Sequence, residues 1–434
     1  MQKRLQLLLA LLAFVVTSAM AQITTSGISG KISSNGETVI GATVTATHQP
    51  SGTVYRAVTN VDGRYTIQGM RPGGPYKVEV SYIGYKDKSV SNVSLILGET
   101  TNLTFSLQED AHQLQEVVVA GKAGLAASRT GAATSMNAEQ INNMPSITHG
   151  IADVARLNPQ LTVTNSGNMS FAGVNNRYNN FMIDGAANND VFGLAPSGNN
   201  GGLAGAQPVS METIEQIQVS VAPFDVRQSG FTGGAINAIT KSGTNQFHGS
   251  AYYYGYNQDL IGTKYPYLDG TGYAPKYQKQ TQYNMGVTLG GPIIKNKLFF
   301  FANYERTNKE YPNLYGVDSG NSKVNTEQAK DIMNMLQKMA EKQGVAFNDY
   351  FSNQDIYTKS DKAGLKLDWN INEFNKFAIR WSLVKAEQLS GGGSASSLNT
   401  YAYSYPFKSN TNSFIAELQS RFSPSVSNEA RVSF

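Results

Sequence analysis

The chain has 434 residues, no cysteine, 15% charged residues and a formal net charge of +4. Without cysteine it can hold neither a disulfide nor a thiolate metal site, and so small a charge argues against nucleic acid as partner. Its 42 glycines and 23 tyrosines, with many Asn and Ser residues, fit a chain of strands and turns long enough for several domains.

The chain opens "MQKRLQLLLALLAFVVTSAMA": Lys3 and Arg4, an apolar run from Leu5 to Val16, then Ala19-Met20-Ala21. That order is a secretory signal peptide cut between Ala21 and Gln22. A membrane anchor is the alternative, but twelve residues fall short of the ~20 that a spanning helix needs. Removal of Lys3 and Arg4 leaves a mature chain near +2.

From Ile23 to about Asp110, short alternating segments recur with turns between them. Ala42, Val44 and Ala46 alternate with threonines; Tyr76, Val78, Val80 and Tyr82 alternate with Lys77, Glu79 and Ser81; Leu103, Phe105 and Leu107 close the series. With turns at Ser34-Asn35-Gly36 and Asp62-Gly63, this predicts a small antiparallel β-sandwich. Asp62 is read as a hairpin-turn residue rather than a Ca²⁺ ligand. The four histidines (His48, His112, His149, His248) fall in separate segments without metal-ligand spacing, so neither a metal, a cofactor nor a catalytic site is expected.

"HQLQEVVVAGKAG" follows. Val117, Val118 and Val119 favour an extended strand, yet they sit in a small-residue linker, where an unpaired strand is an aggregation hazard. The stretch is either a last strand of the sandwich or a segment meant to pair with a partner. "TNLTFSLQED" already supplies a closing strand.

Asn137, with Gln140 three residues on, predicts an N-cap and a short helix. Ile147, Ile151, Val154 and Leu157 place an apolar face on a second helix, ended by Pro159. Strand-like pieces follow in "QLTVT", "MSFAG", "NFMIDG", "EQIQVSVA" and "GGAINAIT", giving a mixed α+β domain. Gly230, Gly233 and Gly234 mark either a tight turn or a close backbone approach.

From about Gln246 the segments are ~8–12 residues with one apolar face. Leu365, Leu367, Trp369 and Ile371 alternate with Lys366, Asp368 and Asn370; Phe377, Ile379, Trp381 and Leu383 alternate with Lys376, Arg380 and Ser382. A second soluble sandwich is one reading. Charged polar faces, aromatic strand ends and sharply unequal connections instead predict a transmembrane β-barrel. One long connection carries a helix with Ile332, Met335, Leu336 and Met339 on one face, ended by Gly344. The stripe is a ligand groove or, as we expect, a surface packed against neighbouring loops.

"GKISSNGETVIGATVTA", "TNVDGRYTI" and "YKVEVSYIGYKDKSV" resemble the carboxypeptidase regulatory-like domain, a transthyretin-like or Ig-like sandwich without catalytic groups. "GIADVARLNPQLTVTNSGNMSFAGVNNRYNNFMIDG" and "IEQIQVSVAPFDVRQSGFTGGAINAITKSGTN" are similar to the plug of TonB-dependent outer-membrane receptors. Where that family has an "RGP" turn, this chain has "VAPFDVRQSG", and the loop from Ala186 to Gln207 is long. The variant is similar to Oar-like and SusC-like receptors of Bacteroidetes; the barrel part matches only in general character.

This resemblance implies a mainly β protein with five parts: signal peptide 1–21, sandwich 22–110, TonB box and linker 111–124, plug 125–245 and barrel strands 246–434. Leu114, Gln115, Glu116, Val117, Val118 and Val119 would be the TonB box, which pairs with periplasmic TonB and its inner-membrane energising complex. Asn175, Arg177, Tyr178, Asn188, Asn189 and Asp190 would contact a nutrient ligand of unknown identity. Outer-membrane lipid would surround the barrel. SusC-like relatives add a SusD-like surface lipoprotein, of which the chain itself gives no sign. No enzyme activity is expected. The rival reading is a secreted or surface β-rich adhesin that binds through the sandwich; an enzyme bearing a regulatory-like domain comes third.

The 189 residues from Gln246 to Phe434 allow about eight strands. A barrel of ~8 strands is filled by its own side chains, whereas plugged transporters use ~22. The expectation is therefore an incomplete, open sheet with an unpaired last strand, in a chain that is part of a longer receptor.

Overall fold

The computed structural model describes residues 23–109, 118–119, 132–144, 146, 149–164, 167–221, 231–260, 279–313, 326–347, 355–390, 404–423 and 426–434. Three β-rich units follow one another.

The first is a two-sheet sandwich. Its strands are β1 (Ser26–Ser34), β2 (Glu37–Thr38), β3 (Thr43–His48), β4 (Thr53–Val58), β5 (Arg64–Met70), β6 (Gly73–Ser81), β7 (Lys88–Leu95), β8 (Thr100–Asn102) and β9 (Phe105–Ser106). One sheet is β2-β1-β5, with β8 and β9 also along β1; the other is β7-β6-β3-β4, with β10 (Val118–Val119) on the outer edge of β7. Period-two alternation sends Val44, Ala46, Tyr76, Val78 and Val80 into one core with Leu103, Phe105 and Leu107. Asn35 and Gly36, both at positive φ, make the β1–β2 turn. Two expectations need correction. Both β8 and β9 run parallel to β1, so the sandwich is mixed rather than antiparallel. Tyr82 lies beyond the end of β6 and is exposed.

The second unit is a five-stranded sheet, β11 (Ala132–Asn137), β16 (Ile214–Val221), β17 (Gly234–Thr240), β14 (Asn180–Ile183) and β15 (Ala186–Ala187), in that order. A two-stranded ribbon, β12 (Leu161–Val163) and β13 (Met169–Phe171), stands beside it. Helix α1 (Ala138–Asn143) starts at Asn137 with a full capping box through Gln140. Helix α2 (Ile151–Ala155) buries Ile151 and Val154 but stops before Leu157, which is 52% exposed. The predicted apolar face is thus a turn shorter than its spacing suggested, and Ile147 lies outside the described residues.

Gly233 and Gly234 are explained by close approach, since neither has a positive φ. A Cβ on Gly234 would stand 2.3 Å from the buried Phe171 ring. Gly234→Ala is expected to cost about 1–3 kcal/mol by overpacking, read as a lower denaturant midpoint; an unchanged midpoint would contradict that packing. Gly230 lies outside the described residues.

The third unit is an antiparallel sheet of seven strands in chain order: β18 (His248–Asn257), β19 (Thr281–Ile294), β20 (Leu298–Tyr311), β21 (Ile356–Asn370), β22 (Asn375–Ser390), β23 (Tyr405–Arg421) and β24 (Ser427–Ser433). Strands β19 to β23, at 14 to 17 residues, run past the predicted length, whereas β18 has 10 residues and β24 has 7. The sheet is not closed: β18 and β24 are its two edges.

Its polarity is inverted relative to a soluble sandwich. Leu365, Trp369, Trp381 and Phe414 are exposed, and cross-strand pairs such as Leu365↔Trp381, Leu367↔Ile379 and Trp369↔Phe377 join them into a continuous apolar band. Lys366, Asp368 and Arg380, which alternate with them, point the other way and meet the plug sheet or the sandwich. Apolar outside and polar inside is the arrangement that lipid selects.

Helix α3 (Thr326–Gln343) connects β20 to β21. Its stripe, Ile332, Met335, Leu336 and Met339, is exposed among the described residues, contrary to the packing expected of it.

Candidate functional site

The sheet of the second unit is seated against the barrel wall by buried charge. β14 ends at Ile183, and Asp184 and Gly185, both at positive φ, turn the chain back into β15. Aspartate is among the few residues other than glycine that visit this region. Here Asp184 Oδ1 accepts from the Thr240 backbone N–H at 2.8 Å, and Oδ2 accepts from Thr240 Oγ1 at 2.6 Å. Arg380 Nη1 of β22 lies 3.1 Å from Oδ2, and Lys366 Nζ of β21 lies 3.8 Å from Oδ1. Burial by itself would raise the Asp184 pKa, but Lys366, Arg380 and the Thr240 hydrogen bonds outweigh it and hold the carboxyl below its ordinary value.

A second anchor lies further along the wall. Ser210 Oγ donates to Glu305 Oε2 at 2.6 Å, Tyr252 OH donates to the same oxygen at 2.6 Å, and Lys362 Nζ pairs with Glu305 Oε1. Glu305 and Lys362 are both buried, so each satisfies a charge the other would otherwise leave stranded.

The two ends of the barrel sheet differ. Three short connections, β19–β20, β21–β22 and β23–β24, share one end; long connections share the other. The sandwich lies at the short-turn end: Arg56 pairs with Glu373, Asn370 Nδ2 donates to Thr53 Oγ1, and the Asn245 N–H donates to the Pro50 carbonyl. The plug loop lies at the other end, where Ala204 and Ala206 pack with Val384, Ala386 and Phe407. In outer-membrane barrels short turns face the periplasm and long loops face outside.

The structure brings the predicted loop residues together but uses most of them to build the loop. Asn175 Oδ1 caps Arg177 N, Arg177 Nε donates to the Gly193 carbonyl, and Asn189 Oδ1 accepts from Phe181 N. Asp190 accepts from the N–H groups of Phe192, Leu194 and Ala195. Asn188 Oδ1 is buried with no hydrogen-bond partner among the described residues. What the loop presents outward is Tyr178 and the apolar tip Val191 (88% exposed), Phe192 (81%) and Leu194 (59%). Sequence reading missed that tip; three apolar residues in an Asn/Gly-rich stretch were the available signal.

Of the predicted TonB box, Leu114, Gln115, Glu116 and Val117 lie outside the described residues, as do Ala19, Ala21 and Gln22 of the cleavage site. Val118 and Val119 form β10, parallel to β7 in the register Val118↔Ser89 and Val119↔Val90. These two residues therefore extend the sandwich, the alternative weighed from sequence.

Residues 27–108 match the carboxypeptidase regulatory-like domain, 126–236 the TonB-dependent receptor plug domain, and 239–319 an outer membrane beta barrel domain. The chain is 29% identical over 273 residues to the TonB-dependent transporter Oar of Myxococcus xanthus, covering 60% of this chain and 24% of that protein. The domains of this chain are those of a TonB-dependent receptor with an N-terminal regulatory-like domain. It is 34% identical over 133 residues to TonB-dependent receptor P26 of Formosa agariphila, covering 30% of this chain and 12% of that one. Among solved structures, the outer membrane transporter YddB of Escherichia coli aligns with a TM-score of 0.48 at 13% identity, over 70% of this chain and 38% of that one. The chain thus spans about a quarter or less of the length of these curated relatives. The receptor resides in the Gram-negative outer membrane, with its N-terminal region in the periplasm.

Proposed function

We propose that the receptor takes up a nutrient across the outer membrane, with its plug opened by periplasmic TonB pulling on residues 114–119. The observation that carries this reading is polarity along one axis. Val118 and Val119 pair with the sandwich, which lies at the short-turn end; the plug is anchored to the wall by Asp184 and Glu305, and an ordered loop stands at the opposite end. An outer membrane holds no nucleotide, so the work of moving the plug must enter from the periplasmic side. A strand offered for backbone pairing accepts load with little dependence on side chains. The proposed divisions are sandwich 22–110, handle and linker 111–124, plug 125–245 and barrel 246–434. We assign no reaction to any of them.

These 434 residues contain no cysteine, so a thiol introduced among them adds one new reactive site whose labelling, compared with the parent's, reports topology. Phe192→Cys should react with an impermeant maleimide in intact cells. Ile83→Cys, on the sandwich surface, should react only after the outer membrane is permeabilised. An adhesin displaying its sandwich would label at both positions in intact cells, and that result would sink the transport reading. The mature N-terminus supplies a separate prediction: sequencing should begin at Gln22, and a start far from it would remove the signal-peptide basis for export.

A further inference from the structure

β16 has two unlike faces. Ile217 and Val219 enter the plug core, while Gln216 and Gln218, two residues apart on the other face, are buried against the sandwich. Gln216 Oε1 accepts from the Leu97 backbone N–H at 2.5 Å, and Gln218 Nε2 donates to the Leu97 carbonyl at 3.0 Å. The two amides thus take both backbone groups of one residue, as a neighbouring strand would. Next to them on β17, Asn237 Nδ2 donates to the Ile23 carbonyl at 2.7 Å. Among the described residues, the buried apolar cluster at this contact is Ile23, Leu97 and Ile239.

The remaining seat of the sandwich is polar as well. Arg71 pairs with Asp368, Arg56 with Glu373, and Thr24 bonds into the Glu417–Arg431 cluster. A cavity of about 360 Å³ remains between sandwich, plug and wall. A permanent interface is closely packed and apolar, whereas one made to separate is polar and tolerates water on both faces. On release, glutamine and asparagine amides hydrate and no large apolar surface is stranded.

We propose that the sandwich is a releasable clasp on the plug. Docked through Gln216, Gln218 and Asn237, it holds β16 and β17 in place; its departure is a step in opening. This rests on the reading of the chain as a plugged transporter. β7 links the two halves of the device, because β10 pairs along it and its last residue, Leu95, offers its carbonyl to Gln216 Nε2 at 3.5 Å.

The test is Gln218→Glu in the intact receptor in its own membrane. The carboxylate cannot donate to the Leu97 carbonyl and repels it, yet the plug-core face of β16 is untouched. Gln218→Met, which keeps the shape and loses the donor, guards against misfolding of the charged variant. Loss of such a buried bond shifts the docking equilibrium by about tenfold or more. Spin labels at Ile83→Cys on the sandwich and Lys295→Cys in a short barrel turn should then show a broadened distance distribution. Cells should also become sensitive to a glycopeptide antibiotic too large for an intact outer membrane. An unchanged distance would overturn the role of the glutamines; a broadened distance with unchanged antibiotic tolerance would overturn the clasp. A plug-deleted receptor that fails to sensitise cells would instead sink the pore reading, and the clasp with it.

Discussion

Asp184→Asn is expected to weaken the seating of the plug by about 3–5 kcal/mol, the cost of leaving buried charge without its counter-ion. The substitution keeps the shape of the side chain and one acceptor for Thr240. It removes the charge that faces Arg380 and Lys366 and turns a donor toward the Arg380 guanidinium. Two cations then remain in a site where the Asp184 side chain is only 10% exposed. The measurement is hydrogen exchange at Ile236–Thr240, the part of β17 that Asp184 ties to the wall; protection equal to the parent's would contradict the anchor. In Asp184→Asn/Arg380→Gln, part of the loss should return, since one stranded charge has gone.

The same anchor sets a pH dependence. The Asp184 pKa is lower in the folded chain than in the unfolded one, so the unfolded state takes up the proton first as pH falls. Its contribution is complete above the unfolded value of about 3.9 and is lost as pH drops through the depressed folded value. The difference between parent and Asp184→Asn should therefore hold steady from neutral pH to about 5 and shrink only in stronger acid.

Val118→Pro is expected to abolish uptake while the receptor stays folded in the membrane. Proline removes a backbone N–H and cannot continue a strand ladder. Among the described residues β10 contributes a two-residue pairing with β7, worth on the order of 1 kcal/mol per hydrogen bond. Its loss leaves the sandwich core of Val78, Val80 and Phe105 untouched. Pairing with a periplasmic partner needs the same backbone groups under load. The damage should thus fall on transport rather than on stability. The check is a thermal scan of the purified receptor beside uptake by cells, and a collapsed melting temperature would assign β10 to the sandwich instead.

Much of this architecture is legible in local pattern, because period-two alternation reports which face of a strand is buried whichever solvent lies on the other side. Leu365, Trp369, Phe377 and Trp381 could be read that way, and unequal connection lengths identified the solvent as lipid. The capping box at Asn137 and Gln140 was legible because its bonds close within four residues. What stayed hidden depends on distant partners. β11, made of small residues such as Ala132, Ala133 and Ser135, has no apolar stripe; β16 makes it a strand. The parallel course of β8 and β9 is set by β1, far away in sequence. At the candidate site, Asn175, Asn189 and Asp190 carried a polar signal that the structure spends on loop geometry, leaving the apolar Phe192 tip outermost. Lys366 and Arg380 looked like polar-face residues of barrel strands; only tertiary packing shows them meeting at Asp184.

If this receptor imports a nutrient by work delivered through residues 114–119, blocking that segment should starve the cell of what the receptor carries. Growth on a panel of single nutrients, comparing the parent strain, a receptor deletion and a Val118→Pro strain, tests it most directly. On at least one nutrient the deletion and the proline strain should both fail, although the proline receptor is present in the outer membrane at parental level. Growth of the proline strain equal to the parent's on every nutrient that the deletion strain cannot use would contradict it.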